Sequence, residues 1–242
     1  MRPPRAPRTR LALPLAAALA WTLAAPPAAA QLTLPSDTLS GSVYGSSAGG
    51  ALSLSNYGFG ASGALRHPLS GAASLVVEFG LGAGKDEREQ EFFTGPFGET
   101  VTPFKRHHFL MLPFTLGVEQ RLWAEAIEDD FRPFFLIGSG PVLGYQWPYF
   151  EDENGNGIRD PGEPKRAALD LRGGSFRFGW GGTVGLGAYF GDGPGAVGLR
   201  IGYAAQYFTE PVELLEPRPE IERPERRFFG TPVVSFHVLR LR

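Results

Sequence analysis

Residues Glu151 to Pro164, EDENGNGIRDPGEP, carry the clearest chemistry in this sequence. With Asp152 counted as position 1, Asn154 falls at 3, Asn156 at 5, Asp160 at 9 and Glu163 at 12. Gly157 takes position 6, and the backbone carbonyl of Ile158 would serve position 7. These are the oxygen-donor positions of a twelve-residue calcium loop, with glycine where the chain must turn sharply. Hard oxygen donors of this kind fit Ca2+, and so few carboxylates place the affinity toward the weak, extracellular end of the range. Pro161 and Pro164 interrupt any following helix, so the expected site is a lone loop with a structural ion. The plainer alternative is an acidic Asn-Gly segment that simply turns easily.

Nucleophilic catalysis would need a histidine beside a serine and an acid. The histidines are His67, His107, His108 and His237. No serine stands at a spacing that predicts a dyad with any of them, although such groupings are assembled in space rather than in sequence.

The elements that must carry these residues are strands. In Ser175–Phe190 the even positions include Phe176, Phe178, Trp180, Val184, Leu186 and Phe190, and the odd ones are mainly glycine with Arg177, Thr183 and Tyr189. Alternation over this length means a strand with two unlike faces. The same period recurs through Asn56–Arg66, Ala72–Lys85, Lys105–Arg121, Phe131–Trp147, Ala196–Phe208 and Arg226–Arg240. Short links at 67–71, 123–130 and 191–195 interleave with long polar ones at about 86–104, 148–174 and 209–225. The 33 glycines and 22 prolines disfavour long helices.

The opening of the chain reads differently. Arg2, Arg5, Arg8 and Arg10 precede an apolar run from Leu11 to Ala25, and Ala28-Ala29-Ala30 supplies small residues before Gln31. This pattern predicts a secretory signal peptide over 1–30. Its removal takes away four positive charges and no negative ones, so the formal charge of −2 becomes −6. An acidic mature chain argues against nucleic acid as a partner. The absence of cysteine excludes a disulfide framework and thiolate metal sites.

Alternating strands, short turns at one end and long loops at the other are the pattern of a transmembrane β-barrel. Here the chain resembles the small outer-membrane β-barrel proteins of Gram-negative bacteria, over roughly residues 40–242. The resemblance implies an all-β, up-and-down antiparallel barrel over 31–242 in the cell outer membrane, bounded by lipid, with its long loops outside the cell. Such barrels have an even strand count, so an eighth, weaker strand is expected near Leu39–Ser47. One departure is the C-terminus, which ends Leu239-Arg240-Leu241-Arg242 rather than on an aromatic residue. The 152–163 stretch is similar to the calcium loops of dockerins and bacterial surface adhesins.

On this reading Arg66, Glu78, Glu119, Arg121, Arg132, Arg177 and Arg200 face the lumen. Glu78 and Arg200 lie at similar heights above the short-turn end and should form an ion pair across a filled interior. Eight strands leave an interior just wide enough for side chains, which favours an internal ion-pair network over a selectivity ring. Phe92, Phe93, Phe97 and Phe104 cluster in one loop as a candidate interfacial girdle, and the proline-rich stretch Pro211–Arg227 should be extended and mobile. The function that fits is a non-enzymatic, structural or surface-interaction role, with an extracellular ligand or protein reached through the long loops. The alternatives are a lipid-modifying outer-membrane enzyme, a narrow pore for small solutes, or a secreted soluble β-protein.

Overall fold

A computed structural model describes residues 46–93, 100–127, 130–191 and 195–241. The expected signal peptide and residues 39–45 of the expected first strand lie outside these. Ten strands appear: β1 (Ser47–Ser55), β2 (Gly58–Pro68), β3 (Ala73–Gly84), β4 (Phe92–Phe93), β5 (Thr100–Val101), β6 (His107–Arg121), β7 (Phe131–Pro148), β8 (Ser175–Phe190), β9 (Gly195–Glu213) and β10 (Glu225–Leu241). Eight of them close into a barrel in the order β1-β10-β9-β8-β7-β6-β3-β2, and every neighbouring pair is antiparallel. The β4–β5 pair is a separate hairpin within the loop after β3.

Among the described residues, the strand that completes the eight-stranded barrel is Ser47–Ser55. Its sequence, SAGGALSLS, has Leu52 and Leu54 as its only large side chains, so its alternation is faint. It nevertheless satisfies its backbone on both sides, pairing Ser47 with Leu241 of β10 and with Arg66 of β2. Closure leaves no strand edge, which is the condition for a sheet to stand in hydrocarbon.

Period two sorts the side chains. One outward residue from each of the eight barrel strands makes the point: Leu52, Phe59, Phe79, Leu116, Ile137, Leu186, Ile201 and Phe236 are all exposed. Among the described residues, the outward face carries no Asp, Glu, Lys or Arg between the short-turn rim, where Arg240 stands, and the long-loop ends of the strands.

The inner face is not the mainly small one expected from its glycines. Aromatic rings fill the lumen at two levels. Toward the long loops, Phe109, Phe208 and Phe229 meet with centroids 5.3–5.6 Å apart, under Tyr57 and Leu214. Toward the short turns, Phe134 stacks on Tyr189 at 4.5 Å among Val76, Leu136 and Leu239. Inward glycines seat these rings. A Cβ on Gly144 would lie 2.6 Å from the Phe109 ring, and one on Gly187 would lie 2.5 Å from Phe134. The glycines therefore make room for aromatic plugs rather than simply narrowing the wall.

Candidate functional site

Between the two plugs lies a polar layer. Glu78 points inward from β3 and Arg200 from β9. Arg200 Nη1 and Nη2 donate to the two Glu78 oxygens at 2.9 and 3.0 Å. Its Nε donates to Ser235 Oγ at 3.2 Å, and that hydroxyl also lies 3.0 Å from His237 Nε2. A cavity of about 130 Å³ adjoins the pair, with Ser62, Thr115, Thr183, Gln206 and Thr231 among its walls. Closer to the short turns, Arg66 Nε donates to Glu119 Oε2 at 3.2 Å, and Tyr189 OH donates to the same oxygen at 2.9 Å. The Arg66 guanidinium lies over the Tyr189 ring, 5.4 Å from its centroid.

The seven inward charges thus occupy several levels and do not make a ring. Arg121 and Arg132 close the short-turn mouth by donating to the carbonyls of Ile127 and Gly191. Arg177 sits at the opposite rim, bonded to Pro211 O and 3.4 Å from Glu210. The hydroxyl–imidazole contact of Ser235 and His237 joins close neighbours in sequence, not the distant partners that a catalytic grouping suggests. Its signal is an i, i+2 spacing on a strand, which puts both on one face. Both are buried, at 1% and 2% exposure. His67 closes β2 rather than lying in a turn, and its Nδ1 is 3.1 Å from Ser46 Oγ.

The long loops fold into a cap. Glu216, 3% exposed at its side chain, ties three segments together. Its carboxylate accepts from Arg159 N at 3.0 Å and pairs with Arg218 at 2.6 Å, while its own N–H donates to Phe104 O. Leu214 and Leu215 are buried, and Leu215 bridges to Lys105. Of the stretch Pro211–Arg227, the first part is packed: β9 continues to Glu213, and the two leucines anchor the chain beyond its end, whereas Pro217, Pro219, Glu220, Glu222 and Arg223 are exposed. Among the candidate girdle residues that are described, none belongs to a barrel strand. Phe92 and Phe93 belong to the β4–β5 hairpin, Phe104 has φ +60° with Arg218 over its ring, and Phe97 lies outside the described residues. Asp86 and Arg88 hold the first loop: Arg88 grips both Asp86 oxygens at 2.8 Å and reaches the carbonyls of Glu222 and Arg223. Burial opposes ionisation of Asp86, but the Arg88 guanidinium outweighs it and holds the carboxyl below its usual range.

In the calcium-like loop, Asp152 accepts from the N–H groups of Gly155, Asn156 and Gly157. Asn154 and Asn156 each accept from the backbone two residues on, and Gly157 has φ +73°, as the tight turn requires. Glu163 reaches back to Glu153 N and Asp160 N. The side-chain amides of Asn154 and Asn156 both donate to Asp160 Oδ2, at 2.6 and 3.1 Å. The loop is thus closed by its own hydrogen bonds. Among the described residues, no group of three or more His, Cys, Asp or Glu side chains is placed to hold a metal.

No protein-family model matches the chain, and no curated protein matches it at a significant level. Solved structures do. Neisserial surface protein A aligns with TM-score 0.41 and 12% identity, over 81% of this chain and 94% of that one. The N-terminal β-barrel domain of Pseudomonas aeruginosa OprF aligns with TM-score 0.36 and 10% identity, over 81% and 96%. The outer membrane enzyme PagL aligns with TM-score 0.32 and 12% identity, over 80% and 98%.

Proposed function

We propose that this chain is an outer-membrane β-barrel with a closed lumen, and that it acts as a structural or surface-interaction protein rather than as an enzyme or a pore. The observation that carries the membrane assignment is the outward face: large apolar side chains on all eight barrel strands, uninterrupted by charge between the rims. Exposed to water, that belt would far exceed the apolar patches a soluble monomer tolerates. The closed lumen rests on the two aromatic plugs and the paired charges between them. Against catalysis stands the burial of the Ser235–His237 contact between those plugs, with Arg200 already bonded to the hydroxyl.

The cap is the face offered to partners, and an extracellular ligand or protein would meet it there. Calcium, on this reading, braces the Asp152–Glu163 loop and performs no chemistry. Binding it would require the amides of Asn154 and Asn156 to present oxygen where they now present N–H.

Cell fractionation is the direct test. Mature protein should sediment with outer membranes, need detergent for extraction, and migrate differently on gels before and after boiling. Recovery of a stable, monomeric fold from the aqueous fraction would overturn the assignment.

A further inference from the structure

One outward-facing tryptophan breaks the rule of the belt. Trp147 lies on the outward parity of β7, yet it is only 7% exposed. The His108 ring of β6 stacks on it at 5.3 Å, and a piece of the chain's own loop covers it further. Trp147 Nε1 donates to Ala168 O at 3.1 Å, and the outward-facing Tyr145 hydroxyl donates to Leu171 O. The segment after the calcium-like stretch therefore folds back down outside the barrel wall, at the height of the last aromatic residues of β7. Phe176 on the neighbouring strand continues that band, its ring 4.8 Å from Tyr145.

The segment is a fixed turn. Asp170 N donates to Ala167 O at 2.8 Å, Arg166 clamps the Asp170 carboxylate at 2.7 Å, and Asp170 accepts from Arg172 N. At the apex stands Leu169, 90% exposed, with Leu171 at 49% beside it. Polar groups pin the turn while its apolar side chains project away from the protein. A leucine held out in this way gains nothing in water, whereas apolar surface entering hydrocarbon is stabilised in proportion to its area.

We infer that the turn Ala167–Arg172 is a membrane-dipping anchor, with Leu169 and Leu171 entering the acyl boundary of the outer leaflet beside Tyr145, Trp147 and Phe176. The occupant is lipid because the turn is continuous with the exposed belt of Phe176 and Phe178 on β8. The inference rests on the membrane assignment proposed above. It makes the second long loop a collar tied to the bilayer surface rather than a free extracellular arm.

The chain has no cysteine, so single-cysteine labelling is clean. Leu169→Cys, Leu186→Cys on the mid-belt and Glu220→Cys on the cap, each carrying an environment-sensitive fluorophore, are reconstituted into vesicles of lipids brominated either near the headgroup or near the chain end. Leu169→Cys should lose emission to the shallow bromine, Leu186→Cys chiefly to the deep one, and Glu220→Cys to neither. Quenching at position 186 without any at 169 would overturn the anchor and leave the barrel assignment standing. Loss of quenching at both would overturn the membrane assignment itself. Quenching of 169 by the deep bromine as strongly as 186 would place the turn in the wall and also refute the anchor.

Discussion

Replacing Glu78 with alanine leaves the Arg200 guanidinium in the lumen with Ser235 Oγ as its remaining protein partner. Both side chains of the pair are largely buried, at 10% and 13% exposure, so solvent screens little of the loss. Breaking a buried pair from one side costs about 3–5 kcal/mol, because the stranded charge keeps its desolvation penalty. The adjacent cavity of about 130 Å³ offers room for water to solvate the freed guanidinium, which places the expected loss near the lower bound, about 3 kcal/mol. Arg200→Ala should cost a similar amount. The double variant should be little worse than either single one, since no charge is then left unpaired. Urea unfolding in detergent, followed by tryptophan fluorescence and by the gel shift of the folded form, measures all four corners of the cycle. Single losses below about 1 kcal/mol, or losses that simply add, would refute a coupled buried pair.

In planar bilayers the purified protein should show little steady conductance; a large, ion-selective current altered by Arg200→Ala would make it a pore. Phe229→Ala removes one member of the three-ring plug and should destabilise the barrel by about 3–5 kcal/mol, measured by the same unfolding assay. Calcium should protect the 149–174 loop from limited proteolysis, and the Asp152→Ala, Glu163→Ala double variant should abolish that protection; equal cleavage with calcium and with chelator would count against a site. Because the folded carboxyl of Asp86 titrates below its ordinary value of 3.8, its contribution to the cap is fully present above that pH and is lost as pH falls through the lower folded value. Cap proteolysis with an acid-stable protease should therefore rise in that window, and Asp86→Asn should remove the dependence.

The sequence is most legible where the two faces of a strand differ most. Ser175–Phe190 sets an apolar parity, interrupted only by the small Gly182 and Ala188, against one that is mainly glycine, and its structural limits are those of the alternation. Glu78 and Arg200 can be paired because each height follows from counting residues up from a short turn. Alternation loses its meaning where both faces resemble each other. Phe134, Phe135, Leu136 and Ile137 form one apolar run, so the inward Phe134 and Leu136 are masked by their outward neighbours, and the aromatic plugs are hidden with them. β1 fails in the opposite way, having only Leu52 and Leu54 as large side chains, both toward one end. The cap reads as open loop because its charges outnumber its apolar residues. It is organised by a few buried contacts, Leu214, Leu215 and Glu216, that no periodicity announces. The calcium-like stretch is legible as a turn scaffold. Asp152, Asn154, Asn156 and Glu163 accept from backbone N–H groups and Asp160 from the two Asn amides, contacts that spacing alone cannot reveal.

Ring closure by β1 and β10 has a kinetic consequence. Ser47 meets Leu241, so the hydrogen bonds that seal the cylinder join segments at opposite ends of the described chain. The entropy of bringing such distant segments together grows as (3/2)RT ln n, about 4–5 kcal/mol at this separation before any constant term. None of it is offset until the last strand docks. Until then β1 and β9 each present an unpaired edge, open to pairing with the wrong chain. Assembly should consequently be all-or-none and slow relative to hairpin formation, and a chain lacking β10 should aggregate rather than form a smaller cylinder.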